Sequence, residues 1–226
     1  MKTFTTLLIF VLMSINVALA GVIPNDIANT IPNSALPACE DTGCYVIAEK
    51  TSLKEILDTD GVKIQTGLFN FTIPFNLAAI NSHPSSALIV YKYKNAPNII
   101  ISTETYADYF LHGFTTKPPS IQAFLEIVYT KTPKDYDMTS TYDKESWNAL
   151  MWFKKQVVGK NNKTYIYDKG RLKIYYETGV DRVPYKNAAW AIDSENPNLA
   201  LRLESNMAEV DFRKILFSIT SKTKEK

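Results

Sequence analysis

Glu104 and Asp108 are four residues apart. On one turn of helix that spacing sets two carboxylates on a common face, the pairing that shares acid and base roles in glycoside hydrolysis. The other reading of such a pair is a solvated acidic surface, and that reading is favoured. The remaining catalytic vocabulary is thin. His83 and His112 are the only histidines, one ahead of Pro84 and one ahead of Gly113. Neither Ser85 nor Ser86 has the flanks of a G-x-S-x-G elbow. There is no H-E-x-x-H, P-loop or dinucleotide fingerprint, and the eight glycines are scattered. Asp135, Asp137 and Asp143 lack the glycine and closing glutamate of a calcium loop. No metal site and no cofactor is expected.

Cys39 and Cys44 are the only cysteines, with four residues between them. Metal binding would ask for more soft ligands, and a thioredoxin-like pair for two intervening residues. In an oxidising compartment the pair is expected to close a small disulfide loop, contributing about 2 kcal/mol at best. The start of the chain implies such a compartment. Lys2 is followed by a short apolar run at residues 7–13, and Ala18-Leu19-Ala20 fits a small-x-small cleavage site. Residues 1–20 are therefore read as a cleavable signal peptide, and the protein as exported, periplasmic or secreted. No later stretch reaches the roughly 18–20 apolar residues of a membrane span.

Composition sets the broad class. The 226 residues are 46% hydrophobic and 21% charged, with a formal net charge of +2. These are globular values, and they leave no basic footprint for nucleic acid. Thirteen tyrosines fit a tyrosine-rich sheet better than a stacking platform for sugars or bases. Residues 21–50 read as an extended segment carrying the Cys39–Cys44 loop. Residues 51–220 read as a single globular domain, and 221–226 as a charged tail.

The elements follow from periodicity. Thr51 or Ser52 is expected to cap a short helix, after a short strand at 45–48. Residues 62–66 and 68–75 form a hairpin about Gly67, residues 77–86 a loop, and residues 87–93 and 98–103 a strand pair. Residues 106–111 make a helical turn. Ser120 caps a helix whose Ile121, Phe124, Leu125 and Val128 recur at helical spacing. A further helix from Asp143 carries Trp147, Leu150, Met151 and Val158 on one stripe, widened by Trp152, Phe153 and Val157. Its breadth marks either a buried layer or an aromatic contact patch, with Trp147, Trp152 and Phe153 as candidate binding residues. Two hairpins follow, at 164–176 and 188–203, the second with Leu199, Leu201 and Leu203 on one side and Arg202 and Glu204 on the other. Asn206 with Glu209 suggests a capping box. Ala208, Phe212, Ile215, Leu216 and Ile219 then make the stripe of a closing amphipathic helix.

No βαβ alternation runs through this order. The expected fold is α+β: a largely antiparallel sheet, helices packed on its faces, closed by a C-terminal amphipathic helix. The strand–turn–strand at 188–203 with the helix at 206–219 resembles the ending of PsbP/Mog1-like α/β/α domains. The resemblance implies binding of proteins or ligands rather than catalysis. The expected function is an exported non-catalytic binding protein, its partner a protein such as a secreted toxin, or a small apolar ligand. The alternative is a carboxylate-dependent secreted hydrolase using Glu104 and Asp108.

Overall fold

The computed structural model describes residues 47–51, 61–74, 77–82, 88–93, 97–107, 118–135, 154, 162–179 and 185–222. In chain order these give β1 (Glu49–Thr51), β2 (Gly61–Thr66), β3 (Phe69–Pro74), β4 (Leu77–Ser82), β5 (Leu88–Tyr93) and β6 (Ile99–Thr105). Helix α1 (Ile121–Thr130) and a 3-10 turn (Pro133–Asp135) follow, then β7 (Lys163–Lys169), β8 (Leu172–Thr178), β9 (Asn187–Asp193), β10 (Leu199–Ser205), α2 (Glu209–Ser218) and β11 (Thr220–Ser221). Strands dominate. One sheet has eight, in the order β1-β7-β8-β9-β10-β6-β5-β4, and a second has three, β11-β3-β2. Only β1 and β7 run parallel among the described pairs; the others are antiparallel. The protein is α+β and dominated by sheet.

Alternation along the strands divides the core into two layers. On one face Ile101, Ile174, Ala191, Leu201 and Leu203 pack against Phe69, Phe71 and Ile73 of β3 and Phe212, Ile215 and Leu216 of α2. On the other, Ile166, Tyr175, Ala188, Trp190, Ile192 and Ala200 pack against Ile121, Phe124, Leu125, Val128 and Tyr129 of α1. Each large side chain fully withdrawn from water contributes about 1.5–3 kcal/mol. The centre of the large sheet is therefore covered on both faces. That is why the Asn187–Asp193 run of β9 is buried throughout and shows no polar alternation.

The turns hold this arrangement at its corners. Gly170 adopts φ +67 between β7 and β8, and Gly67 φ +46 between β2 and β3, a region that costs glycine little. Ser120 Oγ accepts from Ala123 N at 3.0 Å and caps α1. Lys169, at the β7–β8 turn, donates to the carbonyls of Phe217 and Ile219 at the C-terminal end of α2, where a cation also suits the helix dipole. Buried Asp193 is bonded by Arg171 and by the Glu195 backbone N–H. Burial alone would push its carboxyl up, but those bonds outweigh it and hold the group below the usual carboxylate range.

Four expectations need correction. Residues 77–82 form β4 rather than part of a loop, pairing with β5 through partners such as Ile80 and Tyr91. The strand expected at 45–48 is found at Glu49–Thr51, with Thr51 opposite Tyr167, and the helix expected after Thr51 or Ser52 lies outside the described residues. Asn206 does not cap α2: its Oδ1 accepts from Lys186 N at 2.8 Å, and the cap position is Ala208, without a side-chain bond. Glu104 lies in β6, so four-residue helical spacing does not govern it. Two stretches read from the sequence as lying outside the globular domain also join the sheets. Glu49 and Lys50, placed in the N-terminal segment by the sequence, belong to β1, and Ser221 of the tail pairs with Phe69.

Adjacent tyrosines on β8 make a matched test of this packing. Tyr175 donates to Glu126 Oε2 of α1 at 2.7 Å, and burial, with that bond, raises its hydroxyl well above the usual range. Tyr176 faces the opposite layer, stacked 4.8 Å from Tyr165, with Arg213 lying over both rings. Its buried hydroxyl meets no hydrogen-bond partner among the described residues. Tyr175→Phe is expected to lower the unfolding free energy by about 1.5 kcal/mol, and Tyr176→Phe to raise it by about 1 kcal/mol. Urea titration of the two variants reads both, and equal signs would contradict the assignment.

Candidate functional site

The α1-side face of the sheet carries its most concentrated charge. Period two puts Arg202 and Glu204 of β10, Glu104 of β6 and Trp190 of β9 on this face. The register sets Arg202 beside Trp190 on one neighbour and Ser102 on the other, and Glu104 beside Ala200. Ala200 and Ala188 are small, and so leave room for the long chains around them.

Arg202 Nη1 donates to Glu104 Oε1 at 3.0 Å, and Nη2 to Glu204 Oε1 at 2.8 Å. The second oxygen of Glu104 accepts from Trp190 Nε1 at 3.2 Å. The guanidinium carbon lies 5.6 Å from the Trp190 ring, within cation–π range. The side chains of Arg202, Glu104 and Glu204 are only 8%, 11% and 12% exposed. Tyr185 belongs to the same surroundings. Burial raises its hydroxyl, the nearby Glu204 carboxylate adds to the rise, and Arg202 opposes it.

Neighbouring elements anchor the cluster. Tyr106, directly after β6, donates its backbone N–H to Asn198 O, and its hydroxyl donates to Pro118 O at 2.6 Å. Gln122 N of α1 donates to Pro197 O. The β9–β10 turn thus ties the end of β6 to the start of α1. The first turn of α1 is fixed to that turn, and Glu126 of the same helix reaches Tyr175 and Lys173.

Chemically this is an arginine shared by two carboxylates, a geometry that suits its planar fork. Each oxygen of Glu104 receives a donor. A general acid must carry a proton, and both charge-assisted bonds to Glu104 are weaker when its carboxyl group is neutral. The arrangement therefore favours a standing anion. No group of three or more His, Cys, Asp or Glu among the described residues is placed to hold a metal ion.

No protein-family model matches the chain. No curated protein matches it either. One solved structure with some likeness is of a protein from Bacteroides thetaiotaomicron VPI-5482, with 8% identity and a TM-score of 0.34 over 74% of this chain. The match spans half of that neighbour, 50% of its chain. At that score the likeness carries no argument about fold, site or function.

Of the candidate residues read from the sequence, Glu104 is placed, with Arg202, Glu204 and Trp190 about it. Asp108, Trp147, Trp152, Phe153, Cys39 and Cys44 lie outside the described residues, as do His83 and His112. Arg202, Glu204, Trp190 and Tyr185 were not singled out by the sequence. The available signal was the apolar run Ala188–Ile192 within β9, which marks a strand covered on both faces. A charged face on the strand beside it is then buried rather than solvated. Among the described residues no helix is long and apolar enough to cross a membrane.

Proposed function

We propose that this is an exported, non-catalytic binding protein whose partner is another protein, such as a secreted toxin, or a small apolar ligand. The state of Glu104 carries this reading. It is the described member of the one carboxylate pair suited to hydrolysis, and it is bonded to Arg202 and Trp190. A hydrolase needs a carboxyl group that takes up and releases a proton during turnover. The hydrolase reading ranks second for that reason.

The contact surface in this proposal is the helix expected from Asp143. Lys154 is helical and 1% exposed, and its Nζ donates to Lys131 O beyond the end of α1. At 3.6 residues per turn, Lys154 shares the stripe of Trp147, Leu150, Met151 and Val158, and Trp152 falls on the opposite side. Trp152 is thus the residue of the set best placed to meet a partner. Phe153, its neighbour, flanks it in the proposed surface, whereas Trp147, the third candidate, shares the stripe of Lys154 and by that spacing belongs to the body-facing side. Burial of a lysine on the stripe supports a body-facing side and leaves the other side for contact.

Trp152→Asp tests it. The variant is expected to keep its stability within about 0.5 kcal/mol, as at an exposed position, and to lose saturable binding of the apolar probe 1-anilinonaphthalene-8-sulfonate. Unfolding of the variant would place Trp152 in the core, and unchanged probe binding would remove the surface from the proposal.

Export, cleavage after Ala20 and a Cys39–Cys44 disulfide belong to the same proposal, supported by the composition of the first twenty residues and the cysteine spacing. So does membership of the PsbP/Mog1-like group, supported by the succession of β9, turn, β10 and α2 and by helices on both faces of the sheet.

A further inference from the structure

We propose that β4 is a dimerisation edge, through which a second copy of this chain pairs antiparallel and continues the large sheet across a two-fold axis. In the described sheet β4 is the last strand, with β5 as its only neighbour. Ala78, Ala79, Ile80 and Asn81 are all exposed, and Ile80 is 54% exposed. Successive residues of a strand point to opposite faces. Residues 78–81 are therefore exposed on both faces, and among the described residues no strand pairs with their outer edge.

The other ends of the two described sheets are guarded in familiar ways. β1 is three residues long and carries Glu49 and Lys50. β2 bears the exposed Lys63. β11 has two residues and is followed by Lys222. β4 has six residues, Leu-Ala-Ala-Ile-Asn-Ser, without a charge or a proline. Its register slips between Leu77 and Ala79, and beyond that Ala79, Ile80, Asn81 and Ser82 pair regularly with Lys92, Tyr91, Val90 and Ile89. A regular four-residue template with outward backbone groups is left.

The occupant follows from chemistry and symmetry. An unpaired strand edge is a template for another strand. An uncharged one can be completed by its own copy, since no like charges meet. With the two-fold axis at Ile80, Ile80 faces Ile80 of the second copy and Ala79 faces Asn81, an apolar cross-strand pair flanked by small ones. Such an isologous contact uses up the edge, so assembly closes at two copies. The strip is short, so the dimer sits at the weak end of specific interfaces.

Sedimentation velocity on the purified full chain, from about 1 to 200 µM, tests this in the range where so small an interface associates. A reversible monomer–dimer equilibrium is expected. Ile80→Lys should weaken it at least about tenfold, whereas Val210→Lys, changing a residue 55% exposed on α2, should leave it intact. Should I80K fail to fold, Asn81→Lys on the other face of the same strand gives the same reading. A wild-type chain monomeric throughout, open-ended assembly beyond two copies, or equal effects of I80K and V210K would each overturn the proposal.

Discussion

Arg202→Ala is expected to lower the unfolding free energy by about 3–5 kcal/mol, among the largest losses that a single polar substitution in this chain should produce. The guanidinium bonds Glu104 on β6 and Glu204 on its own strand, with all three side chains almost wholly withdrawn from water. Removing it leaves two carboxylates in a poorly solvated site. Each then loses a charge-assisted bond while still withdrawn from water, which costs free energy. An exposed pair behaves differently. Lys214 with Asp211 on α2 is 39% and 47% exposed, and breaking it should cost under about 1 kcal/mol. Chemical denaturation of R202A and K214A side by side separates the two cases. Equal small losses would mean that water reaches Glu104 and Glu204 freely.

Trp190→Ala should cost about as much, roughly 3–5 kcal/mol, by a different route. Trp190 is fully buried at the centre of the large sheet, in the layer that packs against α1. Its neighbours across the strands, Tyr175 and Arg202, are held by their own bonds. They cannot collapse into the space that an indole leaves, so a cavity persists. The same change removes the N–H donated to Glu104. Trp190→Phe separates the terms, because phenylalanine keeps most of the volume and lacks the donor. It is expected to cost about 1–3 kcal/mol, chiefly through loss of the hydrogen bond to Glu104. A Phe variant as unstable as the Ala variant would show that the hydrogen bond, rather than packing, dominates at this position.

The sequence made part of this legible for identifiable reasons. Ile121, Phe124, Leu125 and Val128 lie on one helical stripe, Ser120 is a good cap, and the structure shows both. Period two in Leu172, Ile174 and Tyr176, and the glycine at 170, mark the β7–β8 hairpin. What stayed hidden were features decided at long range. Arg202 and Glu204 alternate with leucines and so read locally as a solvent face. Only the arrival of α1 and the pairing of β10 with β6, about a hundred positions earlier, turn that face inward. Glu104 stands out as a carboxylate, but its partner lies across a strand, where local spacing gives no signal. Asn206 has the chemistry of a cap, yet Lys186 N, across the neighbouring strand, takes its oxygen first. β4 lacks polar alternation because its described residues are exposed on both sides, and nothing in it then separates strand from loop.

The proposed function turns on Glu104 being held as a structural anion rather than serving as the working carboxylate of a hydrolase. The most direct measurement is a double-mutant cycle in unfolding free energy, with Glu104→Gln, Arg202→Met and the pair together. Glu104→Gln should cost about 2 kcal/mol, since it weakens charge-assisted bonds in a dry site. The coupling with Arg202→Met should be at least about 1.5 kcal/mol. Catalytic groups behave in the opposite way, because a site kept for chemistry is often relieved when its acid is removed. A stabilising Glu104→Gln, with coupling to Arg202 near zero, would contradict the binding-protein reading and return Glu104 to the hydrolase.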